Sequence, residues 1–392
     1  MSKRIFTLAA IAAAAFLSGC VSVPPDYGVM AAGCPAMTGA GPITATNPLY
    51  IVATGLPDCR GASPVLTIGR GTPMPFGAPT RFGGPIRYGV ASAPVAEAKG
   101  KAKHAWALGL AEEQAWRRRL AADVAASRGK RVLLYVHGFN NTPDAVLKRA
   151  DEVGAATGFD GPVIAFLWPS QRAVTKYTWD EENERWTQPY LDALLAELAA
   201  VSDDVVLVAH SMGNRLAIHA LSDLQRRHPA LAGHVRTVVL ASPDIDREMF
   251  DRDLAGEAVA PGRQVTLYAS RLDRALQSSW LVHGAARAGD ANCSYDLRRG
   301  RKTAAKRCYP AARAGLDVVD TSEVSRGVGH ADFVEAPEGA ADLCHVVAGL
   351  ANPKGRAKGD GAFVLVRGVV ERGDCAAGVG RLFTSGTADR PR

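Results

Sequence analysis

Beyond its first twenty residues the sequence lacks any run of about twenty apolar residues, the length that a membrane-spanning helix needs. It also lacks a Cys-x-x-Cys pair and any cluster of histidines and cysteines, so no metal site is predicted. No internal repeat is visible, which argues against a repeat architecture. The formal net charge of +7 over 392 residues is too small to indicate a nucleic-acid partner.

What the sequence does contain is a large apolar fraction, 47% of its residues, in short runs spread along the whole chain. Charged residues make up 22%, and the mean hydropathy is close to zero. These values argue against a disordered chain, a coiled coil and a polytopic membrane protein. We therefore predict a soluble globular body of two or three domains, or one large α/β domain with additions.

The first twenty residues predict where the protein is located. Lys3 and Arg4 form a short basic start, residues 5–16 are apolar, and a stop of small residues ends at Cys20. This pattern resembles a bacterial lipoprotein signal peptide over residues 1–19, which implies a lipid-carrying Cys20; an uncleaved signal anchor is the alternative. We expect the acyl groups to anchor the protein in the cell envelope, facing the periplasm, and Val21 favours the outer membrane. Residues 20–47, rich in Gly, Pro, Ala and Thr, are predicted to be a flexible tether.

Six cysteines remain after Cys20, and an even number in an oxidising compartment favours disulfides. Their proximity in the sequence suggests three pairs, namely Cys34 with Cys59, Cys293 with Cys308, and Cys344 with Cys375. Because six cysteines allow fifteen connectivities, other pairings stay open at this point.

Strand-like and helix-like segments alternate along residues 48–350, which predicts an α/β domain with a mostly parallel sheet covered by helices on both faces. Strands are predicted at residues 49–54, 86–90, 131–136, 163–167, 205–209, 237–241, 265–269 and 316–319. Helices are predicted at residues 104–128, 190–201 and 215–225, and one more begins at Thr142. Residues 351–392 are predicted to form a small C-terminal appendage with one or two short strands.

The strongest chemical signal is the run Ala209-His210-Ser211-Met212-Gly213, between a predicted strand and a predicted helix. A nucleophilic serine on such a turn needs small residues two positions away on either side, because the turn is sharp and strained. The alternative is a serine that only caps the helix. The nucleophile also needs an oxyanion hole, for which the main-chain amides of Met212 and Phe139 are candidates. We expect His137, at the start of the same loop as Phe139, to brace that loop rather than to act as a base.

The general base and the acid are expected after later strands of the same sheet. The first histidine after the strand 316–319 is His330, in a glycine-rich loop, and the first acid after the strand 265–269 is Asp273. His283 and His345 are the alternatives for the base. Asp244, Asp246 and Asp320, which also follow strands, are the alternatives for the acid.

These motifs resemble the α/β-hydrolase superfamily, and more closely a bacterial family of α/β hydrolases of unknown function. The matching segments cover residues 48–346 in order: residues 50–54, 136–140, 168–170 with Tyr177, 210–214, 241–246, 268–270 with Asp273, and 329–330. The resemblance implies an α/β-hydrolase fold and a triad of Ser211, Asp273 and His330. It implies no substrate, and the chemistry needs no metal or organic cofactor.

The segment from Trp168 to Trp186 is unusually aromatic, and we predict that Trp168 and Tyr177 help to form a substrate pocket; aromatic packing is the alternative. The basic run between Cys293 and Cys308 is either a solvated loop or a contact for phosphate or acidic sugars. The predicted partners are a small-molecule or lipid ester and the membrane that holds the anchor. The function predicted first is ester hydrolysis; an acyltransferase or amidase with the same triad and a catalytically silent scaffold are the alternatives.

Overall fold

The computed structural model describes residues 48–55, 65–68, 86–92, 106–171, 174–292, 308–350, 352, 354–373 and 375. Its strands are β1 (Leu49–Ala53), β2 (Val65–Ile68), β3 (Arg87–Ser92), β4 (Trp106–Ala111), β5 (Arg131–Val136), β6 (Val163–Leu167), β7 (Asp204–His210), β8 (Val235–Ala241), β9 (Gln264–Ala269), β10 (Leu316–Asp320), β11 (Arg356–Lys358) and β12 (Phe363–Leu365). Its α-helices are α1 (Glu113–Ala126), α2 (Pro143–Thr157), α3 (Tyr177–Val201), α4 (Gly213–Arg227), α5 (Pro229–Ala232), α6 (Arg247–Met249), α7 (Ala255–Ala258), α8 (Arg274–His283), α9 (Asp332–Glu335) and α10 (Pro337–Val347). A 3-10 turn covers Val174–Lys176, and a π-helical turn covers Phe250–Leu254.

All described strands belong to one sheet in the order β11-β12-β10-β9-β8-β7-β5-β6-β1-β3-β4-β2. The eight strands from β12 to β1 run parallel to their neighbours, and antiparallel strands extend the sheet at both ends. Because the strands are parallel, their carboxyl ends lie at one edge, where ligand sites form in such sheets. The predicted α/β class with a mostly parallel sheet is confirmed.

The core occupies both faces of the sheet. Along β5, Val132 and Leu134 pack into one apolar cluster, whereas Leu133 and Tyr135 pack into the other. Strands covered on both faces are expected to be apolar without alternation, as β5 and β6 are. This is the reason that the strands with the strongest apolar runs were predicted to within one or two residues. Among the described residues, no helix is long and apolar enough to cross a membrane.

One predicted helix is wrong in its first part. Residues 106–111 form strand β4 between β3 and β2, and helix α1 begins only at Glu113. Trp106 and Leu108 are buried at two-residue spacing, which is the period of a strand and not of a helix. The side chain of Glu112 accepts hydrogen bonds from the amides of Gln114 and Ala115 and so starts the helix there.

Helix α3 is longer than predicted. It begins at Tyr177, thirteen residues before the predicted start, and continues through Pro189. A proline removes one helical hydrogen bond, so the sequence favoured a helix that begins after it. The buried residues of its first half are mainly polar, whereas those of its second half are leucines and alanine. This first half lies at the edge of the sheet where the site is found.

The C-terminal segment 354–375 extends the same sheet. Strand β12 pairs with β10, and Arg356 of β11 donates to both carboxylate oxygens of Asp342 on α10, which also accepts from Tyr268 of β9. The predicted disulfide between Cys344 and Cys375 is confirmed. Cys308 is disulfide-bonded, but Cys293, like Cys34 and Cys59, lies outside the described residues, so those pairings stay predictions.

Candidate active site

Ser211 occupies a sharp turn between β7 and α4. Its φ angle of 55° is in the left-handed region, which a residue other than glycine adopts only under strain. Its amide donates to the carbonyl of Ala241 on the neighbouring strand, and the side chain of Asn214 donates to the carbonyls of both Ser211 and Ala241. The turn is therefore held from both sides in its strained conformation.

Two glycines allow the chain to close around Ser211. A β-carbon on Gly138, in the loop after β5, would lie 2.5 Å from Cβ and 3.2 Å from Oγ of Ser211. A β-carbon on Gly213 would lie well under 3.0 Å from the carbonyl oxygen of His137. Only glycine fits at either position without a shift of the backbone. The loop 137–141 thus lies directly against the serine.

His330 and Asp273 are hydrogen-bonded to each other. Asp273 caps the N-terminus of α8 through the amide of Leu276, and its Oδ2 lies 2.7 Å from Nδ1 of His330. Burial acts to lower the pKa of His330, but the charge and hydrogen bond of Asp273 outweigh it, so this pKa lies above its ordinary value. Because Nδ1 carries the proton shared with Asp273, Nε2 is the ring nitrogen that can accept one.

The loop that carries His330 is hydrogen-bonded to the end of β7 and to the start of α8. The carbonyl of His330 accepts from Nε2 of His210, the residue directly before Ser211, at 2.9 Å. The amide of Arg274 donates to the carbonyl of Val328. These contacts bring the predicted base to the residue next to the predicted nucleophile, and bring the predicted acid to the base.

The two predicted oxyanion donors are Met212, directly after the serine, and Phe139, in the loop that contacts the serine. Met212 is fully buried at the N-cap of α4, where the helix dipole is positive. Phe139 follows Gly138, which touches Ser211, and the ring of Phe139 packs against Tyr177 with the centroids 4.9 Å apart. Both main-chain amides therefore belong to segments that contact or continue from Ser211.

His137 has the surroundings of a bracing residue. Its Nδ1 bonds the carbonyl of Gly138, its Nε2 accepts from the amide of Trp168, and the two rings stack with their centroids 4.7 Å apart. Burial lowers the pKa of His137 to about 4. A neutral ring with both nitrogens engaged holds the loop after β5 to the loop after β6.

The predicted substrate-binding aromatic residues are both buried, and their contacts are those of the packing alternative. Trp168 donates its indole N–H to the carbonyl of His137. Tyr177 donates its hydroxyl to Asp244 at 2.7 Å and packs against His283 with the centroids 5.0 Å apart. Both side chains thus hold residues of the segments next to Ser211, namely His137 and Asp244.

Asp244, an alternative for the acid, is engaged elsewhere. Its carboxylate accepts from Arg287 at 2.6 Å and from the hydroxyls of Ser279 and Tyr177. Although burial raises its pKa, Arg287 and the two hydroxyls keep the pKa of Asp244 below its ordinary value. Its amide donates to the carbonyl of Ser211, so the buried Asp244–Arg287 pair supports the turn.

The remaining alternatives also have other partners. Asp246 caps the short helix α6 through the amide of Met249. Asp320 accepts from the hydroxyl of Tyr309 and the amide of Ser322. His283 and His345 each bond the main-chain carbonyl one turn earlier in their own helix, those of Ser279 and Ala341.

The sequence pattern does not indicate the role of Asp180. Its buried carboxylate accepts from the hydroxyl of Ser170 at 2.6 Å, from the amide of Gln171 at 2.7 Å and from the amide of Asn140 at 3.4 Å. It therefore ties the loops after β5 and β6 to helix α3. The available signal was the helical spacing of Tyr177, Asp180 and Glu184, but the predicted helix started after them.

Several predicted features lie outside the described residues, namely Cys20, the tether and the basic run between Cys293 and Cys308. In the part of the chain that the structure describes, no group of three or more His, Cys, Asp or Glu side chains could hold a metal ion.

Comparison with known proteins decides the family. The family model described as alpha/beta hydrolase of unknown function (DUF900) matches residues 112–346, more than half of the chain. The chain belongs to this hydrolase family. Membership in the DUF900 family, with the mostly parallel sheet, confirms the predicted α/β-hydrolase fold. Strands β1 to β4 and the C-terminal segment lie outside the matched range.

Among solved structures the chain is similar to an alpha/beta-superfamily protein from Xanthomonas campestris pv. campestris, with 15% identity and a TM-score of 0.31 over 57% of this chain and 100% of that one. It is also similar to a Pyrobaculum calidifontis esterase, with 12% identity and a TM-score of 0.29 over 72% of this chain and 83% of that one. Carboxyl esterase 2 of Tuber melanosporum is similar with 12% identity and a TM-score of 0.30 over 84% of this chain and 94% of that one. No curated protein matches the chain.

Proposed function

We propose that this member of the DUF900 family is a serine hydrolase of the bacterial cell envelope that cleaves carboxylic esters, lipid esters among them. Ser211 is the nucleophile, His330 the general base and Asp273 the acid. The observation that carries the proposal is the 2.7 Å hydrogen bond between His330 and the buried Asp273, made beside the strained turn of Ser211. A serine, a histidine and an acid in this chain order are typical of α/β-hydrolase triads.

The mechanism follows from where charge develops. Nε2 of His330 takes the proton of the Ser211 hydroxyl while Oγ attacks the ester carbonyl, and Asp273 stabilises the imidazolium that forms. The carbonyl oxygen becomes an oxyanion, which the amides of Met212 and Phe139 bind. His330 then returns the proton to the leaving alcohol. Water, activated by the same histidine, adds to the acyl-enzyme carbonyl and releases the acid and Ser211.

Exposed apolar side chains next to the proposed base and acid favour an ester with an apolar acyl chain. Leu272 precedes Asp273 and is 43% exposed, and Val328, two residues before His330, is 56% exposed. The amide of Arg274 bonds the carbonyl of Val328, so the two residues lie on neighbouring segments of the same edge. Apolar surface of this kind beside a reactive group suits an acyl chain that must leave water.

The test is Ser211→Ala against Ser242→Ala. Ser242 follows β8, has a φ angle of 44° and is buried like Ser211, so both variants place alanine in a strained turn. We expect Ser211→Ala to lose fluorophosphonate labelling and to lose about 10⁵- to 10⁶-fold in the rate of p-nitrophenyl ester hydrolysis. Ser242→Ala is expected to keep both.

Esters of graded chain length report the acyl preference in the same assay. Equal turnover by Ser211→Ala and the wild type would rule out the serine mechanism. A well-folded wild type without labelling or turnover would instead favour a catalytically silent scaffold.

Envelope anchoring is the second part of the proposal and is supported by the sequence pattern that ends at Cys20. Wild-type protein expressed in a bacterium is expected to sediment with the outer-membrane fraction and to carry the mass of the acyl groups. Cys20→Ser is expected to carry no acyl mass, because acylation needs the thiol. An acylated Cys20→Ser protein would contradict the assignment of the anchor.

A further inference from the structure

His210, the last residue of β7, makes a contact that the mechanism above does not use. Its Nε2 lies 2.9 Å from the main-chain carbonyl oxygen of His330. Since a carbonyl oxygen can only accept, Nε2 of His210 carries a hydrogen and donates it. The residue before the proposed nucleophile thus holds the backbone of the proposed base directly.

The ring of His210 also packs against the segment that follows His330. Its centroid lies 4.6 Å from that of the His330 ring, at an angle of 55°, and 5.7 Å from that of Phe333 on α9. Phe333 in turn packs against Tyr268 of β9. His210 therefore contacts both the base and the helical turn directly after it.

We infer that His210 is a positioning residue that sets where the His330 ring lies relative to Asp273 and Ser211. The inference rests on the proposed function. His210 directly precedes Ser211 in the strained turn. A bond from His210 to the His330 backbone therefore fixes the position of the base relative to the nucleophile. The bond between Nδ1 of His330 and Asp273 fixes the orientation of the same ring.

The charge state of His210 suits this role. Burial lowers its pKa well below the ordinary value, and the neighbouring His330, Arg149 and His137 lower it further, against the opposing effect of its bond to His330. The charged groups that act on His330 itself are Asp273 and Asp244, which favour its cation, and Arg149, which disfavours it. His210 hence stays neutral while His330 gains and loses a proton, and it adds no second cation beside the imidazolium.

The experiment compares His210→Gln with His210→Asn and His210→Phe. Glutamine can present its amide N–H near the position of Nε2, asparagine is too short to reach the carbonyl, and phenylalanine keeps the ring without the donor. Phe333→Leu is the matched control, because it removes ring packing on His210 and leaves the donor. The measurements are kcat/KM for a p-nitrophenyl ester as a function of pH, the rate of fluorophosphonate labelling and the melting temperature.

We expect the Asn and Phe variants to lose about 10- to 100-fold in kcat/KM and in labelling rate, as a displacement of about 1 Å at a reacting group does. The fall of kcat/KM at low pH, the acid limb of the profile, should move to lower pH in these variants. The reason is that a displaced His330 loses part of its interaction with Asp273, which lowers its pKa. The Gln variant should recover most of the rate and the wild-type acid limb. Phe333→Leu should lower the melting temperature and leave the acid limb in place.

Two results would overturn the inference while the wild-type enzyme remains active. One is an Asn variant with the wild-type rate and acid limb. The other is a Gln variant as slow as the Asn variant, which would mean that the donor is irrelevant. Activity and labelling of the wild type test the proposed function separately, so the two failures are distinguishable. If the Phe variant does not fold, the Gln and Asn variants still decide.

Discussion

Gly213 lies so close to the carbonyl oxygen of His137 that a β-carbon on it would overlap that atom. The first turn of α4 and the loop after β5 are therefore in direct backbone contact on one side of Ser211. The two segments that carry the proposed oxyanion donors, Met212 and Phe139, meet at this contact. The geometry of the proposed oxyanion hole consequently depends on the absence of one side chain.

Gly213→Ala should lower both stability and activity. The added carbon must push the two segments apart, and such overpacking destabilises by about 1 to 3 kcal/mol. Gly233→Ala is the matched control, because a β-carbon there meets nothing within 4 Å and the φ angle is −70°. Thermal unfolding and fluorophosphonate labelling give the result, and equal behaviour of the two variants would contradict the backbone contact.

The variants Asp273→Asn and Asp244→Asn should show which carboxylate is the acid of the triad and which one stabilises the fold. Asn at 273 can still cap α8 but no longer stabilises the correct tautomer of His330, so a loss of about 10⁴-fold in kcat is expected with little loss of stability. Asn at 244 leaves Arg287 buried without its charge partner, which should cost about 3 to 5 kcal/mol of stability. Activity is compared at a temperature where both variants are folded. A reversal of the two patterns would assign the acid to Asp244.

The pH dependence of kcat/KM should report His330. Its pKa is raised, and the base must be neutral, so the rate falls as the pH decreases through a midpoint above about 6.5, the ordinary value for histidine. The same shift means that His330 contributes stability below about pH 6.5, which is lost as the pH rises through the raised pKa. His137 and His210, whose pKa values are lowered, do not give this limb. An acid limb with a midpoint at or below the ordinary value would contradict the assignment.

Removal of the Cys344–Cys375 disulfide should lower the melting temperature without removing the triad. Closing a loop across a sequence separation of 31 stabilises by about 3.5 kcal/mol on the chain-entropy estimate, and often by less. The double variant Cys344→Ala with Cys375→Ala is measured beside the wild type under non-oxidising and oxidising conditions. Since Cys344 is fully buried on α10, the single Cys375→Ala variant removes the bond and keeps the Cys344 side chain in the core, at the cost of one other buried sulfur. A wild-type melting temperature in that single variant would mean that the bond adds no stability.

The sequence predicted most of the sheet because its strands are buried on both faces and therefore consist of long apolar runs. It failed where burial and polarity disagree. The sequence predicts a helix over the residues of strand β4, although Trp106 and Leu108 follow a strand period. It predicts no strand at β2, which lies within a Gly- and Pro-rich stretch. Helix α3 was shortened because Pro189 obscured a first half whose buried residues are polar.

Chain order and local spacing predict those residues of the candidate site that directly follow strands or lie in the loops after them. Ser211, Asp273 and His330 each follow a strand, and the sheet brings such positions to one edge. Long-range partners were not predictable, because they depend on how distant loops meet. Asp180, Arg287 and the contact of His210 with His330 belong to this class. The sequence shows that Asp244 and Asp273 both follow strands, but the bond of Asp244 to Arg287 and the bond of Asp273 to His330 are evident only in the structure.

Strand β12 covers the side of β10 that faces away from β9. A fragment cut at residue 346, where the family match ends, would turn β10 into an open edge with unpaired main-chain groups at Val319 and Asp320. Such an edge is a template for strand addition by another molecule, so we expect fragments trimmed to the family boundary to aggregate. On this expectation, pairing with β12 prevents β10 from pairing with a strand of another molecule.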